Sequence, residues 1–258
     1  MTSIVIPHYE LHDMLKNFCL PNLYLYADDV EIIIVDNGSK KQLQLDGPYK
    51  IIRSKVRVSF ARACNLGAEQ AKGDVLLFLN NDVQVLPFFL KPMLEALKDE
   101  KSVICGSKIL SADGKIQHIG IVFGKKRLPY HDHMGEEDSS KFKGTKETIA
   151  VTGACMADKA NWFKTTNGFD ESFPDGNYED VSLCLTAKKQ GLKVKVALDS
   201  KVIHLGGATY GLHPEEHTEL LVRRNWEILS EKWKGEKDSF FGINKNSLLT
   251  PREEAWGL

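Results

Sequence analysis

The chain has 258 residues, 34 Lys and Arg against 35 Asp and Glu, and a formal net charge of −1; a nucleic-acid binder would normally carry a basic excess. With 42% hydrophobic and 27% charged residues, the composition is ordinary for a globular protein and excludes disorder or fibrous repeats as the overall class. At about 150 residues per domain, one large domain or two small ones fit the length. No stretch approaches the ~20 consecutive apolar residues of a membrane span. The N-terminal MTSIVIPHYE lacks the basic and apolar regions of a signal peptide. Cys19, Cys64, Cys105, Cys155 and Cys184 are odd in number, with no C-x2-C pair, which points to reduced core residues of a cytoplasmic protein.

In chain order, residues 3–6 predict a strand ending at Pro7, and residues 31–35 a β-branched strand ending at Asp36. Between them Leu11, Leu15, Phe18 and Cys19 recur at helical spacing. Residues 50–53 predict a weaker strand. Residues 59–72 read as a helix with Ser59 as N-cap and Gly73 just past its end. DVLLFL at 74–79 is the continuous apolar run of a strand buried on both faces, and 87–97 supplies the next helix. This alternation predicts an α/β fold with a mainly parallel sheet flanked by helices.

The second half is less regular. Strands are expected at 116–123, 149–156, 193–198 and 201–205, and helices at 179–190 and 214–233. Residues 124–148, charged and low in apolar content, predict a long mobile loop, with His131 and His133 solvated on it. The tail after Gly235 is weakly patterned.

Ligands of open α/β sheets bind outside the carboxyl ends of the parallel strands. Three strands end in polar groups: Pro7-His8-Tyr9-Glu10, Asp36-Asn37-Gly38-Ser39 and Asn80-Asn81-Asp82. A Tyr9 ring can stack on a base, Asp36 can accept from a ring N–H, and Asp82 suits a hard cation that also binds substrate phosphates. Taken singly, DNGS and NND are equally turn sequences. Arg62, in a first helical turn that disfavours a cation, has a diphosphate or an exposed surface position as its two explanations, and Asn65 lies on the same face. Glu179-Asp180 opens a helix, where acids are dipole-favourable but can also act as general base. His204, ending KVIHL, is either a metal ligand or a hydrogen-bonded structural residue. There is no G-x-S-x-G, P-loop or G-x-G-x-x-G pattern, which disfavours serine hydrolases, P-loop ATPases and Rossmann dehydrogenases.

The order of the motifs says more than any one of them. IVIPHYE, IIIVDNGS, SFARACNLGAEQAKGDVLLFLNND, VTGACMADKANWFKTTNGFDESF, NYEDVSLCLTAKKQGLKV and VIHLGG together resemble the family 2 inverting glycosyltransferases of the GT-A fold, over about residues 2 to 207. GKIQHIGIVFG with a following His resembles the bacterial branch that builds O-antigen and other surface polysaccharides, often as rhamnosyltransferases. The resemblance implies a GT-A (Rossmann-like nucleotide-diphospho-sugar transferase) domain at 1–212, with residues 213–258 as a helix and tail packed on it. It implies that Pro7, Tyr9, Glu10 and Asp36 hold the base and ribose of a donor, with Arg62, Asn65, Asn81 and Asp82 facing its diphosphate.

By the same resemblance, Asp82 and His204 would bind Mn2+ or Mg2+, and Asp180 would deprotonate the acceptor hydroxyl. Glu179, Gly153 and Ala154 would line the acceptor and donor-sugar pocket. The implied donor is a nucleoside-diphosphate sugar, UDP or dTDP, and the acceptor a glycan or lipid-linked hydroxyl. That places the protein in the cytoplasm or at the inner face of the membrane, in peripheral contact with it. Three departures stand out: Asn80 begins the D-x-D motif, Cys64 replaces a frequent Arg, and Ser182 replaces the Asp of E-D-x-D. The rival readings are a nucleotidyltransferase, whose Gly-rich basic loop is missing after the first strand, and a non-catalytic nucleotide-sugar-binding module.

Overall fold

The computed structural model describes residues 1–206, 219–243 and 251–255. Its N-terminal half runs β1 (Thr2–His8), α1 (His12–Met14), a π-helical turn (Leu15–Cys19), α2 (Leu20–Tyr26), β2 (Val30–Asn37), β3 (Tyr49–Ser54), α3 (Phe60–Ala68), β4 (Val75–Leu79), β5 (Val83–Val85), α4 (Leu90–Leu97) and β6 (Ser102–Leu110). There follow β7 (Ile116–His118), β8 (Ile121–Phe123), β9 (Pro129–His131), β10 (Thr145–Thr148), β11 (Cys155–Lys159), α5 (Ala160–Thr165), α6 (Glu179–Lys189) and β12 (Lys193–His204). The described C-terminal segments are α7 (Glu219–Lys232), α8 (Asp238–Phe241) and α9 (Pro251–Ala255).

One mixed sheet organises the chain, in the order β10-β12-β6-β11-β4-β1-β2-β3. Pairing is parallel through β4-β1-β2-β3 and between β6 and β12. The antiparallel strand β11 joins the two halves. Pro7 sits inside β1, opposite Val35 of β2. It is tolerated because the pairing of β1 with β4 stops at Val5, so no ladder on that side needs its missing N–H. One apolar layer packs α3, α5, α6 and α7 on the sheet, and the other packs α2 and α4 on the opposite face. All five cysteines are free and buried.

Several sequence expectations change. β6 was not anticipated, although every one of its residues is buried. The strand expected at 149–156 starts instead at Cys155, and the one at 116–123 breaks at Ile119-Gly120. The two strands expected at 193–205 form the single β12, with extra residues between Ala197, opposite Ser107, and Lys201, opposite Lys108. Ser200 closes that bulge: its carbonyl accepts from the Ser107 hydroxyl at 3.0 Å and its hydroxyl donates back at 2.9 Å.

The helix expected at 59–72 ends at Ala68, with Ser59 as N-cap accepting the Arg62 amide. The one expected at 87–97 begins at Leu90, after the unanticipated β5. For the helix expected at 214–233, residues 214–218 lie outside the described residues, as does the expected division at 212/213. The weakly patterned tail contains α8 and α9.

Segment 124–148 is tied down rather than free. Arg127 donates to Trp233 O at 3.2 Å and pairs with Asp238 at 3.0 Å. Asp138 lies between the buried Lys108 and Lys201, each at 2.7 Å, and Lys146 pairs with Asp132 at 2.8 Å. Opposite charges anchor the segment alongside the buried Leu128 and Phe142.

Candidate functional site

Parallel pairing sets His8 beside Asp36 and brings the polar ends of β1, β2 and β4 to one crevice. Asp36 is wholly buried. Its oxygens accept the amides of Ser39 and Leu43, both at 3.2 Å, and the Arg53 guanidinium. Burial pushes its carboxyl up, but the Ser39, Leu43 and Arg53 bonds more than offset this and hold it below the usual range. Asp36 therefore shapes the turn from beneath. At Gly38, with φ 76°, a Cβ would meet Arg57 N at 2.5 Å, so the turn requires glycine.

Glu10 closes the same corner, its carboxylate accepting Lys40 N at 2.7 Å and its amide donating to Ser39 Oγ at 2.9 Å. The Arg57 guanidinium lies 4.7 Å from the Tyr9 ring centroid, a cation–π contact on one ring face.

A chain of hydrogen bonds orients Asn81. The carbonyl of Lys41 can only accept, so His12 Nε2–H donates to it at 2.8 Å. His12 Nδ1 then accepts from His8 Nε2–H at 2.8 Å, and His8 Nδ1 accepts from Asn81 Nδ2 at 3.0 Å. Burial, followed by the neighbouring His12, pushes His8 down to about 4 against the pull of Asp36, which keeps the chain neutral.

β4 and β12 deliver Asp82 and His204 to each other, with His204 Nε2 at 3.1 Å from Asp82 Oδ1. Gln117 fixes the ring. Its Nε2 donates to His204 O at 3.3 Å, so its Oε1 must accept from His204 Nδ1–H at 2.7 Å. With Nδ1–H committed to Gln117, Nε2 is the ring nitrogen that faces the Asp82 carboxylate, and Asn80 Nδ2 lies 3.4 Å from it. An imidazole nitrogen and a carboxylate oxygen at this spacing fit a divalent cation such as Mn2+ or Mg2+. Among the described residues no group of three or more His, Cys, Asp and Glu converges to hold a metal, so such an ion would also rely on substrate oxygens and water.

Arg62 and Asn65 are engaged elsewhere. Arg62 pairs with Glu69 and Glu171, both at 3.3 Å. The buried Asn65 amide donates to Phe169 O and Glu171 Oε1 and accepts Phe169 N, each at 2.9 Å. Here they lock the 168–171 loop onto α3, which explains the cation in a first turn without a phosphate.

The loop before β11 meets the start of α6. Asp180 Oδ2 accepts Gly153 N at 2.8 Å and Oδ1 accepts Val181 N at 2.7 Å. Gly153 is confined between Phe60 and Asp180, since a Cβ there would lie 3.2 Å and 3.6 Å from them. Ala154 O accepts Asn80 N at 3.0 Å, tying this loop to the end of β4. Burial raises the Asp180 carboxyl, opposed by the Gly153 and Val181 amides and the Thr152 hydroxyl. Burial and then the neighbouring Asp180 raise Glu179 well above the carboxylate range, and its Oε2 has no hydrogen-bond partner among the described residues. Two adjacent acids thus differ: backbone N–H bonds favour the ionised form of Asp180, while burial and its neighbour oppose ionisation of Glu179.

Ser182 faces α7, where its Oγ accepts Trp233 Nε1 at 3.4 Å; the departure from E-D-x-D serves packing. His131 is not solvated. Its Nδ1 lies 2.8 Å from Nδ1 of the buried His118, whose Nε2 accepts the amides of Gly120 and Thr152. Burial pushes His131 down to about 4. Sequence reasoning did not find Gln117, His118 or His8 as site supports; the QHIG string was the one available signal.

A sheet of this order, with polar strand ends, a His–Asp pair and an acidic helix start around one crevice, is a GT-A glycosyltransferase fold. The model for the family described as glycosyl transferase family 2 matches residues 3–157, and the chain belongs to that family. O-antigen biosynthesis protein RfbC of Myxococcus xanthus is 33% identical over 227 residues, covering 78% of this chain and 17% of that protein. The chain thus spans a quarter or less of the first curated relatives it matches.

GalNAc-T7 solved with UDP, GalNAc and Mn2+ has a TM-score of 0.63 at 18% identity, covering 79% of this chain and 43% of that one. The mannosyltransferase PcManGT of Pyrobaculum calidifontis, solved with GDP-Man and Mn2+, has a TM-score of 0.55 at 14% identity, covering 79% of this chain and 56% of that one.

Proposed function

We propose that the protein is an inverting glycosyltransferase that moves a sugar from a UDP- or dTDP-sugar to a hydroxyl of a glycan or lipid-linked acceptor in surface polysaccharide synthesis. The observation that carries this reading is the split acid pair at α6, in which Asp180 accepts two backbone N–H bonds while the buried Glu179 Oε2 has no partner among the described residues. In this reading Asp180 takes the acceptor proton as that oxygen attacks the anomeric carbon from the face opposite the leaving nucleotide, so one displacement inverts configuration. Glu179, Gly153 and Ala154 shape the acceptor side. Pro7, Tyr9, Glu10 and the turn over Asp36 receive the nucleoside.

Asp82 and His204 would hold Mn2+ or Mg2+, with Asn81 beside them; when bound, the ion stabilises charge on the departing diphosphate. Arg62 joins the diphosphate only by leaving Glu69 and Glu171. The likeness to RfbC supports the polysaccharide role, and the reading sets the protein in the cytoplasm, at the inner face of the membrane. Among the described residues no helix is long and apolar enough to cross a membrane. Residues 1–212 form the catalytic domain in this reading, with α7 and the tail packed on it.

A thermal-shift screen of UDP-, dTDP- and GDP-sugars with and without Mn2+ tests the reading. A Mn2+-dependent shift with one nucleotide class, lost in Asp82→Ala, is expected. Shifts that ignore both metal and Asp82 refute the metal site.

A further inference from the structure

The turn that leads into α6 cannot hold its own shape. Asp175, Gly176, Asn177 and Tyr178 all have positive φ, at 54°, 90°, 72° and 75°. Three of them carry a Cβ, and left-handed residues in succession are unfavourable for L-amino acids. Such backbone persists only where its surroundings over-determine it. Tyr178, the N-cap residue of α6, gives the helix start no side-chain cap bond, so the restraint comes from elsewhere.

It comes from α7. Asn225 is entirely buried, and its Nδ2 donates to Pro174 O at 3.0 Å, Gly176 O at 2.5 Å and Asn177 O at 3.3 Å. Three carbonyls around one nitrogen settle the amide orientation, since the reversed rotamer would set Oδ1 against three acceptors. The helix is itself fixed by Val222, Leu229 and Trp233 in the apolar layer that includes Val181 and Leu185 of α6. Asn225 therefore connects a packed helix to the carbonyls of a strained turn, and that turn ends two residues before Asp180.

We propose that Asn225 is a positioning residue for the acid pair: it holds the 175–178 turn and so sets how α6 presents Asp180 to the Gly153 amide. The catalytic part of this inference rests on the reading of Asp180 as the base. Asn225 bonds to none of the strand-end residues of β1, β2 and β4, so its loss acts on turnover and spares nucleotide binding.

Asn225→Ala and Asn225→Asp in the full chain, compared with Leu229→Ala, test the inference. The last removes a buried side chain from the same helix but leaves the Asn225 hydrogen bonds to the turn in place. Hydrogen exchange followed by mass spectrometry is expected to show amides 177–181 exchanging at least ~10-fold faster in both Asn225 variants and within about twofold of wild type in Leu229→Ala. Turnover of the donor selected by the screen above is expected to fall at least ~30-fold in the Asn225 variants, with affinity for its nucleoside diphosphate plus Mn2+ within about twofold. Unchanged exchange at 177–181, or a turnover loss no greater than that of Leu229→Ala at equal Tm loss, overturns the proposal. Asp180→Asn, measured alongside, separates the two readings. Retained turnover there overturns the base assignment and the catalytic part resting on it, whereas the exchange result decides the hold on the turn by itself.

Discussion

The two sides of the crevice are built on opposite terms. On the β1–β2 side the buried polar side chains are paired: Asp36 with Arg53 and two turn amides, Asn37 with both backbone groups of Val58 at 2.8 Å, and His8 with Asn81 and His12. On the β4–α6 side, Asn80 Oδ1 and Glu179 Oε2 have no partner among the described residues. Paired networks fix a shape, whereas unpaired buried groups cost stability and gather where acids must be raised. In the proposed reading the nucleotide side is a mould, and the acceptor side is where buried acids are raised.

The strongest way to break this contrast is Asp180→Asn. Turnover should fall about 10³-fold, within the range for a lost general base, while nucleotide affinity holds; turnover near wild type would end the distinction between the sides.

His8 tests the paired side. A histidine pushed from 6.5 to about 4 contributes stability that is fully present above 6.5 and lost as pH falls through 4, about 3 kcal/mol in all. The stability difference between wild type and His8→Gln, followed by denaturant unfolding, should therefore shrink between pH 7 and pH 4; a difference flat with pH counts against the neutral chain.

A smaller effect is expected from Gln117→Leu, which frees the His204 ring. Mn2+-dependent nucleotide affinity should drop about 10-fold, as when an outer-shell partner of a ligating histidine is lost, with Tm little changed.

Asp158→Asn is the mildest. Burial raises Asp158 well above the carboxylate range, so its stabilising neutral form is fully present at low pH and lost as pH rises. The substitution should raise Tm by about 2–4 °C at pH 8.5 and by less at pH 5, read by calorimetry. An equal gain at both values would show that the carboxyl is not neutral when folded.

What could be read in the sequence was local. The Ser59 cap, the apolar β4 run, the polar strand ends and the acidic start of α6 carry their signals within a few residues. β6 escaped because SVICGSKIL interrupts its apolar residues with Gly106, Ser107 and Lys108. Lys108 can be buried because Asp138, thirty positions away, and the Phe142 carbonyl accept from its ammonium. The strand expected at 149–156 slid to β11 for a related reason: Asp158 is a carboxyl in the core, and an apolar run is no guide to where such a strand ends. Arg62 and Asn65 stood on the expected helix face, yet both reach partners more than a hundred residues on, in the 168–171 loop. No spacing rule reports contacts of that range.

β12 has two separately registered halves. Lys193–Ala197 is set by β6 and β10, and Lys201–His204 by β6 and β5, with the Ser107–Ser200 bulge between them. A strand that gains or loses one residue normally turns every later side chain to the opposite face. Here the bulge is a slack joint that takes up such a change. Relatives with insertions or deletions at 198–200 should keep the imidazole of His204 facing Asp82. A single deletion within 202–204 should turn it to the other face of the sheet.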